Sequence, residues 1–578
     1  MLAGTLAAAG TAAAGAAKPA AVSSHKTGAA AGNPFCAKLK THYLASAGAW
    51  AYCFGAASRT AGSPKAAAVP HSADSSAPPN VNAASPAEDV SPAGVRAYGQ
   101  SETSIAAAGQ YVVEAWNDST GFFTFCGAAH NKEESTGFGF SADGGKTFTD
   151  LGGLPNANCN NFVYGGDPSV SAYQVGGKTY FYISSLFNST TGFGTSQVAM
   201  DACEVTGAGG TATLDCGQPV ILGNSTFCQK VKFGSQTVLE CDFLDKDFIT
   251  VDPAHHRLYA AYTDFPVIST AFGSNIDASA CDLGNATGGV GPAGGTPAAP
   301  VCETNKPGAA PYLAIARAAA SACENEGAYP AADPITGALY VGYEFNLGTN
   351  TGYQPCSTAA TPTSDTLTKV SFSCLRLAKT AKCDPSARIG VPLTSIDVEP
   401  IPGFNRFPTD WPRVAVSDPA GTVSMVWNDA RYHPLGDVLL QSFGLRTLAP
   451  VQSTPMLVDQ PVAGALNFMP AVRAADASGK LDVTWFSRTS PTTSNTNVYA
   501  AIGIDPRAAT APAVDVRITS VASNWDNSTS IITPNFGDYT DNNIVTTSTW
   551  PYVGSTLYVA WSDGRTGVPQ PFEAHLPG

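Results

Sequence analysis

STLYVAWSDGR, residues 555–565, is the last of seven related stretches. Its counterparts are GQYVVEAWND (109–118), GKTYFYISSLFN (177–188), HRLYAAYTDF (256–265), GALYVGYEFN (337–346), GTVSMVWNDAR (421–431) and GKLDVTWFSR (479–488). In most of them a Gly-containing turn leads into a short apolar run that ends in an aromatic residue and an acid. Upstream of each lies a second short strand: ETSIAA from Glu102, DPSVSA from Asp167, DFITVD from Asp247, YPAADP from Tyr329, DWPRVAVSD from Asp410, MPAVRAAD from Met469 and DYTDNNIV from Asp538. Such recurrence marks stacked copies of one supersecondary unit, none of which can bury its apolar face alone. The expected fold is an all-β propeller of seven blades, or of six if two neighbouring copies share one enlarged blade.

From 96 to 578 the seven units average about 69 residues, against the about 40 to 50 of a bare four-stranded blade. The excess falls in Gly-, Pro-, Ala- and Thr-rich segments such as GNATGGVGPAGGTPAAP (284–300), which suit exposed loops and the binding surfaces that loops carry. The last copy has only the short tail PFEAHLPG (571–578), so its outer strand is expected from residues near 90 to 100.

Charged residues make up only 13% of the chain, with 57 glycines and 42 prolines, and the apolar share of 44% is ample for a large core. The 14 cysteines fall in close local spacings: Cys36 and Cys53, Cys126 and Cys159, Cys203 and Cys216, Cys228 and Cys241, Cys281 and Cys302, Cys323 and Cys356, Cys374 and Cys383. An even count in a loop-rich chain argues for disulfides, here in sequential order, and for an oxidising, extracellular compartment. No CxxC pair or HxxxH spacing appears, so neither a metal nor a cofactor is expected. Sequons at Asn117, Asn188, Asn224, Asn285 and Asn527 are compatible with secretion. A net charge of −14 and a pI near 5.0 leave no basic stripe for a nucleic acid. No stretch approaches the length of a membrane span.

Residues 1–30, rich in Ala and Gly, read as signal-peptide-like. Residues 31–60 form a small segment with two cysteines, read as a cystine-closed hairpin docked on the propeller or a processed pro-region. An Ala/Ser/Pro linker follows over 61–95, and the propeller over 96–578.

SADGGKTF, Ser141 to Phe148, is the sharpest local motif. It resembles the Asp box, Ser-x-Asp-x-Gly-x-Thr-aromatic, of sialidase-like (bacterial neuraminidase repeat) propellers, with Ser141, Asp143, Gly145, Thr147 and Phe148 at the matching positions. In that turn an Asp caps backbone N–H groups and Gly takes a conformation closed to residues with a Cβ. QSETSIAA, DKDFITVD (245–252), FGDYTD (536–541) and WSDGR (561–565) add to the likeness. The Asp box is a structural device, and topology separates it from the site. A blade is an antiparallel meander, so its first strand begins at the face where its second strand ends, here called the mouth. The turn between third and fourth strands lies on the opposite face.

The mouth is therefore expected to gather Glu102, Asp167, Asp247, Asp410 and Asp538 around the axis, with Lys246, Trp411, Arg413 and Tyr539 close by. The second-strand ends add Asp118, Asp264, Glu344, Asp429, Arg431, Arg488, Asp563 and Arg565 farther out. Converging carboxylates raise one another's pKa, so that a protonated acid coexists with an ionised partner, as glycosidic cleavage requires. Asp247, Asp410, Asp538, Tyr539 and Arg413 are the catalytic candidates; Glu102, Asp167, Lys246, Trp411, Arg431 and Arg565 are the ligand-binding ones. A structural alternative stands beside each. The Arg in WNDAR and WSDGR braces its neighbouring Asp more readily than it binds a ligand, and for Arg413 an ion pair is an equal alternative. His255 and His256 read as solvated turn residues.

The resemblance implies the sialidase mechanism, in which three arginines clamp a carboxylate, a Tyr with a Glu partner is the nucleophile, and an Asp is the acid/base. The chain departs from it by lacking the Phe-Arg-Ile-Pro motif; the nearest string, FNRFP (404–408), lies in another blade. Two functions are expected from these residues: a secreted glycoside hydrolase of exo-sialidase type, with a glycan or glycoconjugate as partner, or a non-catalytic propeller that binds glycan, protein or cell-wall ligands through its loops.

Overall fold

The computed structural model describes residues 76–87, 99–120, 134–190, 195–225, 227–233, 235–266, 273–284, 295–302, 313–317, 323–348, 364–372, 387–392, 411–460, 462, 464–475, 478–512, 514–527, 536–547 and 554–578. Seven antiparallel sheets form the blades of a propeller. Their innermost strands are Gln100–Ala108, Ser169–Val175, Phe243–Asp252, Cys323–Ala332, Arg413–Ser417, Leu466–Ala474 and Asp541–Thr547, for blades 1 to 7. Each strand of this ring contacts the next, and blade 7 contacts blade 1, so the ring is closed. The seven stretches that open the sequence argument are the second strands: Tyr111–Asp118, Lys178–Ser189, Arg257–Phe265, Leu339–Gly348, Thr422–Asp429, Leu481–Arg488 and Gly554–Asp563.

Both faces of such a strand are buried because each blade packs against two neighbours, which is why these stretches read as apolar runs rather than alternating ones. Trp116, Trp427, Trp485 and Trp561, one near the end of the second strand in four of the blades, are essentially inaccessible. Separate apolar clusters fill the interfaces, for example Phe181, Ile183, Phe138 and Val113 between blades 1 and 2, or Leu557, Trp561, Phe486 and Trp525 between blades 6 and 7.

The ring is sealed by a strand from the beginning of the chain. PFEAHLPG is not a tail: Gln570–Pro577 is the third strand of blade 7. Its outer partner is Val81–Asn82, with Val81 opposite Glu573 and Asn82 opposite Phe572, and not residues near 90 to 100. Polar anchors on either side of Val81 fix this choice. Asn80 donates to Ile518 O (2.9 Å) and accepts from Ser520 N (2.7 Å), while Asn82 Nδ2 donates to Gln570 Oε1 (3.1 Å). The propeller thus takes its closing strand from the stretch read as linker.

Three disulfides follow the sequential order. Cys203–Cys216 and Cys281–Cys302 tie outer strands of blades 2 and 3, and Cys228–Cys241 closes a separate hairpin. Each joins residues directly opposite on antiparallel strands. Cys159 and Cys323 are also disulfide-bonded. The N-terminal segment with Cys36 and Cys53, and the pair Cys374 and Cys383, lie outside the described residues. Among the described residues no helix is long and apolar enough to cross a membrane.

One backbone feature aims the inner strands at the axis. Glu102, Asp167, Lys246 and Met469 all have left-handed φ, at 55°, 58°, 54° and 52°. In blades 1, 3 and 6 this residue sits inside a register shift, a bulge that turns the strand start inward. Blade 4 places Gly327 (φ 71°) at the same step, and a Cβ there would come within 2.3 Å of Trp411 Cγ. Gly327→Ala combines a left-handed alanine with a collision against a buried indole. It is expected to cost about 3 kcal/mol, read as a lower urea midpoint; an unchanged midpoint would show that Trp411 relaxes freely.

Candidate functional site

The openings of the inner strands bring four charged side chains from four blades to one point. Lys246 of blade 3 lies with its Nζ 2.5 Å from Asp538 Oδ1, 3.8 Å from Asp167 Oδ2 and 3.9 Å from Glu102 Oε1. The Lys246 ammonium also sits 4.2 Å from the Trp411 ring centroid and 5.7 Å from that of Tyr539. Asn117 ties two of the acids together: its Nδ2 donates to Glu102 Oε2 and to Asp167 Oδ1, and its Oδ1 accepts from the Asp167 N–H. The Asp538 N–H donates to Glu102 Oε1 at 3.2 Å. Gly537 permits that contact, since a Cβ on it would lie 2.2 Å from Glu102 Cγ.

Two residues farther into the strands lies a second layer. Arg413 stacks between Phe248, Tyr329 and Tyr539, with centroid distances of 4.2, 4.7 and 5.3 Å. Arg473 donates to Tyr329 Oη and, at 2.9 Å, to Asp541 Oδ1, whose other oxygen accepts from Ser104 Oγ at 2.8 Å. Ser104 and Ser169 each accept a backbone N–H from the next blade, Val170 and Ile249 respectively, so this layer also stitches neighbouring inner strands together.

The axis is closed. Lys246 and Glu102 are fully buried, and Asp167, Asp247, Asp538, Tyr539, Trp411 and Arg413 are at most 3% exposed. Burial, reinforced by Asp167 and Asp538, pushes the Glu102 carboxyl well above the usual carboxylate range. Burial, with the Asp167 and Asp245 charges, does the same to Asp247 against a partial offset from Ser184. For Lys246 burial works against the charge, but Asp538, Glu102 and Asp167 outweigh it and raise the pKa. The Tyr539 phenol donates to Pro168 O at 3.0 Å. Burial and the charges of Glu102, Asp167, Asp247 and Asp538 raise its pKa, so it is held as a phenol. Burial also lowers the pKa of Arg413.

The remaining candidates stand away from this cluster. Arg431 Nε and Nη2 reach both oxygens of Asp429 (3.1 and 2.6 Å), and Trp427 Nε1 donates to the same carboxylate. Arg565 Nη2 reaches Asp563 Oδ2 (2.7 Å), which also accepts from Trp561 Nε1 (2.9 Å), and the same guanidinium donates to Ser520 Oγ and to Asn80 Oδ1 beside the closing strand. Arg488 stacks on Trp525 at 4.8 Å. The turn Ser141–Phe148 joins the third and fourth strands of blade 1, on the face opposite the mouth. There Asp143 accepts from Thr147 N (3.0 Å), Thr147 Oγ1 (2.7 Å) and Ser141 Oγ (2.8 Å), while Ser141 Oγ accepts from Gly145 N (2.9 Å). Asp410 lies outside the described residues.

Asn117, Tyr329, Arg473 and Asp541 belong to the axial layers although sequence reasoning passed over them as site residues. Asn117 hid inside a sequon: it is 2% exposed, and Asn188 and Asn224 are likewise buried, at 3% and 5%, so none of the three presents its amide to a glycosyltransferase in the folded chain. His255 and His256 are engaged rather than solvated. His255 Nδ1 lies 2.8 Å from Asp252 Oδ2 with its ring against Phe372, and His256 pairs with Tyr173 Oη. Among the described residues no group of three His, Cys, Asp or Glu stands where it could hold a metal ion.

No protein-family model matches the chain. No curated protein matches it. Solved structures similar to it include the Hadza microbial sialidase Hz136, with a TM-score of 0.36 and 10% identity over 71% of this chain and 65% of that one. Trypanosoma rangeli sialidase gives 0.34 and 9% over 84% and 56%. The GH43_1 enzyme from Xanthomonas citri complexed with xylose gives 0.25 and 14% over 55% and 80%. The chain spans less than two thirds of the length of either sialidase.

Proposed function

We propose that this protein is a secreted, sialidase-like β-propeller that recognises extracellular glycans through the loops around its mouth, with the axial residues serving as a rigid hub and not as catalysts. The closed, charge-compensated axis is the observation that carries this reading. A tyrosine nucleophile needs a base to take its proton and a substrate within reach, yet Tyr539 is buried and its hydroxyl donates to the Pro168 carbonyl. A carboxylate clamp needs a free guanidinium at the surface, yet Arg413 is enclosed by aromatic rings and Arg431 and Arg565 hold Asp429 and Asp563. Catalytic pockets gather such groups where substrate reaches them. The sialidase-like part of the reading is supported by the hydrogen bonds of the Ser141–Phe148 turn, which fit an Asp box, and the extracellular part by the disulfides.

Glycoside hydrolysis is the second reading. It is favoured by Glu102, whose raised pKa sets a protonated carboxyl beside Asp167 and Asp538, the pairing that acid/base cleavage uses. The two readings separate on one experiment. The protein is assayed on fluorogenic glycosides that include sialosides and applied in parallel to a glycan array, together with Tyr539→Phe and Asp538→Asn. Glycan binding without turnover is expected. Turnover that Tyr539→Phe abolishes in a folded protein would replace the binding reading with the hydrolase.

A further inference from the structure

Between the last strand of blade 2 (Val220–Asn224) and the first strand of blade 3 (Phe243–Asp252) the chain makes a hairpin of Cys228–Phe233 and Gln236–Cys241 that belongs to no blade. Connections between blades join the outer strand to the next inner strand, so this hairpin rises at the mouth. A lone two-stranded hairpin is marginal in water, and this one is fixed at its base. Cys228 and Cys241 are bonded, the Asp242 N–H donates to Phe227 O (2.9 Å), and Ser225 Oγ donates to Asp242 O (2.7 Å).

Alternation along the ladder sorts its side chains. Lys230 stands opposite Leu239 and Lys232 opposite Thr237, and all four are exposed on one face. The other face carries Glu240, which is buried, and the half-buried Gln229 and Val238. Leu239 is 42% exposed and Phe227, at the base, 47%; both are large apolar side chains that the propeller leaves uncovered. Among the described residues neither lysine forms an ion pair or a side-chain hydrogen bond. In a chain of net charge −14 this is a positive and apolar outpost. Lysines on an edge strand also discourage sheet-to-sheet pairing. That role calls for a guard on each edge, and Gln236–Cys241 has no basic residue.

We propose that this hairpin docks an anionic polysaccharide. Lys230 and Lys232, about 7 Å apart along the strand, pair with successive acidic groups, while Leu239, opposite Lys230 on the same face, covers the apolar face of a sugar ring. The body of the protein repels a polyanion, so contact is confined to the hairpin and steered toward the mouth. The proposal rests on the glycan reading above for the nature of the ligand, and on no catalytic step.

The test uses the full chain on immobilised polygalacturonate, with neutral dextran and poly-glutamate as controls, in about 50 mM salt, where surface charges are least screened. Retention on polygalacturonate, release by about 0.5 M salt, and a loss of about tenfold or more in affinity for Lys230→Glu/Lys232→Glu are expected. Leu239→Ser weakens binding less. All these positions are exposed, so melting temperatures stay at the parent value and the comparison is between folded proteins. Undiminished binding by the double variant, or equal retention on dextran, overturns the proposal. Equal retention on poly-glutamate overturns it in favour of an acidic peptide. If the double variant still binds the glycan array as the parent does, the hairpin proposal alone falls; if the parent binds no glycan at all, the reading beneath it falls as well.

Discussion

Replacing Lys246 with methionine is expected to destabilise the propeller by about 3–5 kcal/mol at pH 7.5, the usual loss when one partner of a buried ion cluster is removed. The ammonium lies within 4 Å of Glu102, Asp167 and Asp538, all of them buried. Methionine fills a similar volume and keeps the contact with the Trp411 ring, so what is removed is the charge. For a fold of this size, with an unfolding entropy of about 1 kcal/mol per kelvin, the melting temperature falls by roughly 3–5 °C. The pH dependence identifies the cause. Without Lys246 the Glu102 carboxyl, already raised by burial, loses the neighbouring charge that holds its folded-state pKa down, so the stability it forfeits is restored as pH drops below its unfolded value near 4. Thermal melts of parent and Lys246→Met at pH 4 and pH 7.5 are thus expected to differ little at the lower pH and most at the higher. A loss that is the same at both would assign the effect to packing, and no loss at either would remove Lys246 from its place at the centre of the hub.

Much of this architecture is readable in the chain because of where the apolar signal lies. Second strands are buried on both sides, so GTVSMVWND or STLYVAWSD announces itself; outer strands are not. Val81–Asn82 and Met456–Leu457 are only two residues long and carry no pattern, so the closing strand is defined by what Asn80 and Asn82 bond to and by nothing periodic. The convergence of Glu102, Asp167, Lys246 and Asp538 is legible for a related reason: each opens an inner strand, and radial symmetry brings strand openings together. Their burial is not legible. Whether a carboxylate at a channel mouth meets water or a lysine depends on neighbours contributed by blades 1, 2, 3 and 7, which local sequence does not encode. Asn117 shows the same gap from the other side. A motif valid for exposed loops names it, whereas the ladder places it between two acids.

A propeller with this many buried acids is expected to be most stable in acid. Burial raises Glu134, Glu324 and Glu344 to about 8 and Asp277, Asp459 and Glu573 to about 7. Blade 4 concentrates the effect: Glu344 is directly opposite Asp365 on the next strand, and Asp365 is also pushed well above its ordinary range, first by burial and then by the Glu344 charge. A carboxyl whose folded pKa exceeds its unfolded one binds its proton more tightly when folded. Its contribution is fully present below about pH 4 and is lost as pH rises through the folded value. The window is therefore pH 4 to 8, and stability declines across it. One pKa unit corresponds to 1.36 kcal/mol, but mutual relaxation of neighbouring acids reduces the sum. A total loss of about 5 kcal/mol, or roughly 5 °C in melting temperature between pH 5 and pH 8.5, is the expected scale. Glu344→Gln isolates the blade 4 share. The amide cannot ionise, so the variant is expected to lose less stability than the parent between those two pH values and to overtake it at pH 8.5. Melts across that range decide the matter: a parent curve that rises with pH, or a Glu344→Gln variant that follows the parent throughout, would mean that these carboxyls are ionised and solvated in the folded protein.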